Sequence, residues 1–296
     1  RIAQAELARA HGIHGFCYYH YWFNGKLLLE RPFNEVLNSG KPDFPFCLCW
    51  ANENWTRRWD GLSKDILIGQ DYANYSVEQH FEWLANPFSD SRYIKIDGKP
   101  LFLIYRADKI PQLGAVVERM RKTSQQLGFE NIYLCAVKNT QFSLADKEAI
   151  DYGFDALIDF QPSERYIPQR TLNTPAPVLN LYRLWRNKSV PINYKNYIQK
   201  YIETASSKEK IFPSVFPSWD NTARRKTSVS IIQNTDANLF KNFLSSAAKK
   251  VERYPEQEQI VFINAWNEWA EGCHLEPDLK NGLNFLLAIK DVVSGN

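Results

Sequence analysis

The sequence has little net charge, little glycine and no long apolar run, and each shortage excludes a class of protein. Its 36 basic and 33 acidic residues leave a net charge of +3 that is spread evenly, whereas a nucleic-acid-binding protein carries a basic stripe. The 13 glycines form neither a G-x-G-x-x-G turn nor a P-loop, which argues against a nucleotide-binding open sheet. No apolar stretch approaches the roughly 20 residues that span a bilayer, so no membrane span is predicted.

Cysteine is scarce as well, and its placement argues against disulfides and metals. The five cysteines are odd in number and lie mostly in strand-like runs, which indicates buried thiols in a reducing, cytoplasmic setting. Cys47 and Cys49 lack a second Cys or His pair nearby, and HGIHG at 11–15 lacks the glutamate of a zinc-protease helix. We therefore expect no metal and no cofactor. Because the first residue is Arg1 and the only methionine is Met120, we also expect sequence upstream of residue 1.

Strand-like and helix-like segments alternate along the whole chain, which predicts a single α/β domain over residues 1–296. The strand-like runs are 15–23, 44–51, 100–106, 131–137, 154–160, 211–219 and 260–266. The helix-like segments are 2–10, 33–38, 77–84, 113–127, 179–185, 194–205, 236–253 and 283–293. Runs that are apolar on both faces are typical of a parallel sheet covered by helices. We predict a (β/α)8 TIM-type barrel that lacks its first strand.

Aromatic and polar residues gather where these runs end, and the carboxyl ends of barrel strands meet at one mouth, where active sites are built. Aromatic rings stack on the apolar face of a sugar, while amides and carboxylates hold its hydroxyls. We therefore predict a glycan cleft whose substrate-binding residues are Tyr18, His20, Tyr21, Trp22, Trp50, Asn52, Glu53, Trp55, Trp219, Asp220, Asn221, Asn267 and Trp269. Taken singly, each of these aromatic residues is more readily explained as part of the core, and only their gathering beside polar residues at strand ends favours a glycan cleft.

Glu268 and Glu271 stand three positions apart in the stretch NAWNEWAEG at 264–272, so a turn after the strand would bring them to one side. Two carboxylates in one cleft can divide into a base and an acid, which is the requirement of glycosidic bond cleavage. The alternative is a solvated helix start that interacts with the helix dipole. The apolar surroundings favour the catalytic interpretation.

The stretch from His11 to Gly61, together with SWDNTAR at 218–224 and NAWNEWAEG, strongly resembles the WbsX-type family, also described as a domain like glycoside hydrolase family 99. That family 99 of endo-α-mannosidases has a (β/α)8 barrel and a Glu-Trp-x-Glu motif, which residues 268–271 match. The resemblance implies that Glu268 removes a proton from the sugar 2-hydroxyl, which attacks the anomeric carbon, and that Glu271 protonates the leaving oxygen. Configuration is retained and no metal takes part.

The chain departs from family 99 at Ala270, where that family commonly has a histidine, so the resemblance does not carry the preference for mannose. We predict a carbohydrate-active enzyme that cleaves or transfers glycosidic bonds in bacterial surface polysaccharide.

Two alternatives stay open from the sequence. One is a glycosyltransferase of lipopolysaccharide O-antigen or capsule synthesis, with Arg57 or Arg224 at the diphosphate of a nucleotide sugar. The other is a glycan-binding module without catalysis. The expected partner is an oligosaccharide or polysaccharide and not a nucleic acid, and the sequence indicates no oligomeric state.

Overall fold

The computed structural model describes residues 1–57, 62–167, 191–205, 207–224 and 230–295. Its centre is a sheet of seven parallel strands, each hydrogen-bonded to the next along the chain. The seven strand-like runs of the sequence are all confirmed. In chain order the strands are β1 Phe16–Phe23, β2 Phe46–Trp50, β3 Lys99–Ile104, β4 Tyr133–Lys138, β5 Ala156–Asp159, β6 Ile211–Val215 and β7 Phe262–Ile263.

The sheet is curled, so its first and last strands approach each other. The ring of Phe16 at the start of β1 lies 5.3 Å from the ring of Trp266, which follows β7. No hydrogen-bonded pairing joins β1 to β7 within the part of the chain that the structure describes. The curled parallel sheet confirms the predicted (β/α)8 barrel class, while the predicted absence of a first strand stays a prediction.

Eight helices surround the sheet within the described residues. They are α1 Ile2–Ala10, α2 Arg31–Ser39, α3 Val77–Ser89, α4 Leu113–Gln126, α5 Asp146–Asp151, α6 Tyr194–Glu203, α7 Ala237–Val251 and α8 Asn284–Val293. Seven of them match helix-like segments of the sequence, and α5 was not predicted. The segment 179–185 lies outside the described residues.

Local signals explain where these helices begin and end. Helix α2 carries a proline in its first turn and ends at Gly40, whose φ of +65° suits glycine. Helix α7 begins at Asp236, whose side chain accepts hydrogen bonds from the backbone N–H groups of Asn238 and Leu239. None of the described helices combines the length and the apolar character that crossing a membrane would require.

Strand β1 shows how the two faces of the sheet differ. Successive side chains point to opposite faces. His20 and Trp22 are buried and pack against α3, whereas Tyr19 faces the barrel interior and is partly exposed. The same alternation decides, on every strand, which side chains can reach a ligand.

Short hairpins and helical turns follow the carboxyl ends of most barrel strands, whereas Lys95–Ile96 and Glu256–Glu258 precede β3 and β7 at the amino end. The additional strands are Lys26–Leu28, Trp55–Arg57, Leu62–Ile68, Lys95–Ile96, Ile192–Asn193, Trp219–Asp220, Ile231–Gln233, Asn267–Glu268 and Cys273–His274. The 3-10 turns are Tyr72–Asn74, Ala107–Lys109, Glu164–Tyr166, Glu256–Glu258 and Trp269–Glu271. Most of these pieces frame the mouth of the barrel and carry the polar residues described next.

Candidate active site

The two glutamates of the NAWNEWAEG stretch lie on a tight turn beyond β7. Glu268 ends a two-residue strand that pairs with Cys273, and a 3-10 turn then carries Glu271. The turn closes at Gly272, where φ is +55° and an added Cβ would lie 3.2 Å from the backbone of Asp220. Only glycine fits such a position without strain. The turn brings both carboxylates to the same side.

One arginine joins the two carboxylates. Nη1 of Arg224 lies 3.3 Å from Oε1 of Glu271 and 3.6 Å from Oε1 of Glu268. Two oxygens that share one nitrogen at these distances are close enough to act on a single glycosidic bond. The side chain of Glu271 is 14% exposed and that of Glu268 is 35% exposed, so both are partly shielded from water.

A strip of five rings forms an aromatic wall of the site. Each ring centroid lies 5.4 to 6.2 Å from the next, which is the range of favourable aromatic contacts. In order along the wall the rings are Trp55, Tyr21, Tyr19, Tyr105 and Phe160. Three of the four contacts are edge-to-face, with interplanar angles of 77° to 89°, so the strip presents both ring faces and ring edges to the cavity.

Nearby carboxylates help to raise the pKa of two tyrosines in this wall. Burial raises the pKa of Tyr21, the neighbouring Cys49 and Glu268 raise it further, and Arg224 opposes the effect. Burial also raises the pKa of Tyr105, with added contributions from nearby acidic groups that include Glu53 and Glu271. Both hydroxyls therefore remain protonated at neutral pH and stay available as hydrogen-bond donors.

A third carboxylate, Glu53, is held at the mouth by a buried arginine. Nη1 of Arg106 donates to Oε1 of Glu53 at 2.7 Å and to Oε1 of Gln141 at 2.8 Å. The same guanidinium is paired with Asp108, whose hydrogen bonds are the largest cause of a raised Arg106 pKa. Since Arg106 is 4% exposed, this network fixes the direction of Glu53.

Asn52 has a supporting place in the same network. Its Oδ1 accepts a hydrogen bond from the Arg106 backbone N–H, and its Nδ2 donates to the Arg106 carbonyl and the Tyr72 hydroxyl. The side-chain amide of Asn52 thus makes its hydrogen bonds to other groups of the protein. Asn52 therefore positions the segment that carries Arg106.

These groups line one cavity of about 2550 Å³ that opens at the mouth and continues along the barrel interior. Its wall includes ten of the fifteen site residues predicted from the sequence: Tyr18, Tyr21, Asn52, Glu53, Trp55, Trp219, Asn221, Asn267, Glu268 and Glu271. The structure thus brings the predicted acid and base together with most of the predicted binding residues.

Three predicted binding residues are placed in the core instead. His20 stacks on Trp83 at 4.5 Å, Trp22 stacks on His80 at 4.7 Å, and Trp50 is fully buried. Their positions on β1 and β2 point toward α3, because alternate residues of a strand face opposite sides. Tyr18 lies on the same side of β1, where its ring packs against the ring of Phe33, although the residue also borders the cavity.

Two other predicted binding residues lie beside the cavity, outside its wall. Trp269 stacks on His274 with ring centroids 3.7 Å apart, and its Nε1 donates to Glu276 at 2.6 Å. Asp220 accepts a hydrogen bond from the Thr222 backbone N–H. Like His20, Trp22 and Trp50, these two residues do not line the cavity.

Sequence reasoning missed several residues of the wall. Tyr19, Tyr105, Arg106 and Phe160 line the cavity, yet none was among the predicted site residues. Tyr105, Arg106 and Phe160 follow β3 and β5 directly, so the rule that active sites lie at strand ends would have found them. Arg57, named as a possible diphosphate ligand, has no described side chain.

Comparison with known proteins assigns the chain to a family. The model of the family Glycosyltransferase WbsX matches residues 1–289. Two proteins named "Uncharacterized protein WxcX", from two strains of Xanthomonas campestris pv. campestris, are 33% identical over 299 residues and match 98% of the chain. The chain spans 41% of the length of these relatives.

Solved structures share the fold. A "Glycoside hydrolase-like protein" superposes with a TM-score of 0.61 at 15% identity, covering 98% of this chain and 84% of its own. The GH99 endo-α-mannosidase from Bacteroides thetaiotaomicron, solved in complex with Bis-Tris propane, gives 0.57 at 14% identity, covering 99% of this chain and 82% of its own. At such identity the likeness concerns the barrel alone. The chain belongs to the WbsX glycosyltransferase family, whose name is that of a carbohydrate-active enzyme.

Proposed function

We propose that this domain is a retaining glycosidase or transglycosidase that acts within chains of bacterial surface polysaccharide. The observation that carries the proposal is the convergence of Glu268 and Glu271 on one nitrogen at the edge of an aromatic-lined cavity. Paired carboxylates in such a setting are the machinery of glycosidic bond cleavage. The neighbouring rings supply the stacking surface that a sugar requires.

In the first step Glu268 removes the proton of the sugar 2-hydroxyl, and the resulting oxygen attacks the anomeric carbon. The bond from that carbon to the glycosidic oxygen breaks, and Glu271 donates its proton to the leaving oxygen. The product is an epoxide-like 1,2-anhydro sugar and a shortened glycan. Two inversions at the anomeric carbon, one in each step, give net retention.

In the second step water attacks the anomeric carbon from the side the leaving group occupied. Its proton passes to Glu271, while Glu268 returns a proton to the 2-oxygen. When a sugar hydroxyl takes the place of water, the same step forms a new glycosidic bond. Hydrolysis and transfer therefore differ only in the acceptor that enters the cavity.

The aromatic wall and Glu53 bind the substrate. The rings of Tyr21, Trp55 and Tyr105 stack on apolar faces of the glycan. Glu53, fixed by Arg106, accepts hydrogen bonds from sugar hydroxyls. At position 270 the chain has alanine, whose side chain offers no polar contact beside the two glutamates, so the sugar that it binds need not be mannose.

The experiment is to incubate the protein with candidate bacterial polysaccharides and to measure new reducing ends. Glu268→Gln and Glu271→Gln keep size and hydrogen bonding but remove the acid and base functions, so each should reduce cleavage by at least about 100-fold. A substrate without the 2-hydroxyl should not react. Wild-type rates in both variants would contradict the assignment.

A second candidate function is the transfer of a sugar from a nucleotide-activated donor, which the description of the matching family favours. It predicts that a UDP-, GDP- or dTDP-sugar binds and is consumed in the presence of an acceptor glycan. Calorimetry with these three classes of donor distinguishes it from the first proposal. Glycan binding that survives both glutamate substitutions, with no cleavage by the wild type, would indicate a binding module.

A further inference from the structure

Trp269 differs from the other tryptophans of this domain in its exposure to solvent. It is 50% exposed, whereas every other tryptophan whose side chain the structure describes is buried or half-buried. Folding normally removes most of such a large aromatic surface from water. Trp269 follows Glu268 directly and begins the 3-10 turn that ends at Glu271, yet it lies outside the cavity wall. An exposed ring beside the reacting groups is in a position to contact a ligand that extends beyond the cavity.

The inner face and the edge of the Trp269 ring are both held by the protein. The imidazole of His274 lies nearly parallel to the indole, with ring centroids 3.7 Å apart and an interplanar angle of 15°. At the edge, Nε1 of the indole donates to Oε2 of Glu276 at 2.6 Å. Gln4, on α1, donates to the other oxygen of the same carboxylate. The ring is therefore fixed in orientation, and its exposed face is the one turned away from His274.

The residue behind the ring is fixed in turn. Nε2 of His274 lies 3.0 Å from Oδ2 of Asp278. The Asp278 carboxylate also accepts hydrogen bonds from the backbone N–H groups of Lys280 and Asn281. An indole that is already immobile loses little conformational freedom when a ligand stacks on it. This support distinguishes Trp269 from an exposed side chain that turns freely in water.

We propose that the outer face of Trp269 is a sugar-binding platform separate from the cavity, which holds one residue of a long polysaccharide away from the bond that is cleaved. A flat indole contacts the apolar C–H face of a pyranose. The Glu276 carboxylate beside it accepts one hydrogen bond at each oxygen and keeps lone pairs for sugar hydroxyls. Because Glu268 and Glu271 line the cavity from the same turn, a glycan chain that leaves the cavity across this turn reaches the ring.

The inference rests on the proposed function in one respect, namely that the glycan bound in the cavity is part of a longer chain. It adds that recognition extends beyond the cavity, so long chains should bind more tightly than short fragments. Binding can be measured without turnover, in a variant that has lost both glutamates. Failure of this inference is therefore distinguishable from failure of the proposed function, which the reducing-end assay tests.

The experiment uses the double variant Glu268→Gln/Glu271→Gln and measures its retardation in native gels that contain yeast mannan, dextran or a bacterial O-polysaccharide. Because an indole face contacts C–H groups and no particular hydroxyl, a panel of different pyranoses is a fair test. Adding Trp269→Ala should weaken binding of a retained polysaccharide by about 2- to 10-fold, the loss expected for one aromatic contact. Trp269→Phe keeps a ring and should lose less. Tyr152, an exposed tyrosine that precedes β5 at the amino end of the barrel, supplies the matched control Tyr152→Ala, which should bind like the double variant.

A trisaccharide prepared from the same polysaccharide separates a remote platform from an effect on the turn. It is short enough to bind within the cavity, so Trp269→Ala should leave its affinity, measured by calorimetry, within about twofold. The inference is overturned if Trp269→Ala leaves the affinity for the polysaccharide unchanged, or if none of the three polysaccharides is retained. It is also overturned if trisaccharide and polysaccharide are weakened equally, because the ring would then act through the two glutamates. Thermal unfolding of each variant verifies that the fold is intact.

Discussion

A buried pair of histidines should make the stability of this domain strongly dependent on pH. Nε2 of His20 lies 2.8 Å from Nε2 of His80, and Nδ1 of His80 lies 2.9 Å from the Tyr75 hydroxyl. His80 belongs to α3, and both rings stack among aromatic residues where α3 packs on β1. Burial lowers the pKa of His20 to about 3. Burial, and then the charge of His20, lower the pKa of His80 well below its usual value.

The direction in which stability changes with pH follows from the number of protons that the folded and unfolded states bind. Both histidines have a lower pKa in the folded chain than in the unfolded chain, where it is near 6.5, so the unfolded state binds more protons between these values. Their contribution to stability is complete above pH 6.5 and is lost as the pH falls toward the folded-state value. His20 changes the free energy of unfolding by about 1.4 kcal/mol per pH unit in this window. Lowering the pH from 7 to 5 should cost about 2 kcal/mol through His20, and the lowered pKa of His80 adds a loss in the same direction.

The assay is urea unfolding at several pH values between 4.5 and 7.5. His20→Gln removes one titrating group, so the slope of the free energy of unfolding against pH should fall by about 1.4 kcal/mol per unit relative to the wild type. The exposed His14 provides the control variant, His14→Gln, which should keep the wild-type slope. An unchanged slope in His20→Gln would refute the account of this pair.

Three further predictions concern the placement of residues around the site. Gly272→Ala should lose more stability than Gly40→Ala. Either substitution at a positive φ should cost about 1 to 2 kcal/mol, but only at Gly272 would the added Cβ also meet the Asp220 backbone. Thermal unfolding compares the two variants, and equal losses would contradict the steric argument. Arg106→Met should destabilise by about 3 to 5 kcal/mol, because it removes the buried guanidinium that makes the short ionic contacts of Asp108 and Glu53. Denaturant unfolding measures the loss, and a loss below about 1 kcal/mol would contradict this account of the network. Trp50→Ala should cost about 3 to 5 kcal/mol, whereas Trp269→Ala at the surface should cost clearly less in the same assay; the reverse order would show that their burial is misassigned.

Much of the fold could be predicted from the sequence because the barrel strands are short, apolar and separated by helices with clear end signals. All seven parallel strands were found, since a run such as FCLCW at 46–50 is buried along its full length. The helix α5 at Asp146–Asp151 was missed. It has only six residues, too few to show the apolar period on which the prediction of helices depends.

The candidate site was predictable in position but not in detail. The strand-end rule found the mouth and the glutamate pair, yet it could not assign a face to each residue of FCYYHYWF, where nearly every position is aromatic. A run without polar alternation does not reveal which side chains face the helices, and His20 and Trp22 were therefore expected in the cleft. The bond between Glu53 and Arg106 joins residues 53 positions apart, and no local pattern encodes such a contact.

The central claim is that Glu268 and Glu271 act on one glycosidic bond from the same side of a ring-lined cavity. The most direct measurement is a crystal structure of Glu268→Gln soaked with an oligosaccharide of a polysaccharide that the wild type cleaves. The account predicts a sugar whose 2-hydroxyl lies within about 3 Å of residue 268 and whose glycosidic oxygen lies equally close to Glu271. A glycan bound elsewhere on the domain, with both side chains in contact only with solvent, would contradict it.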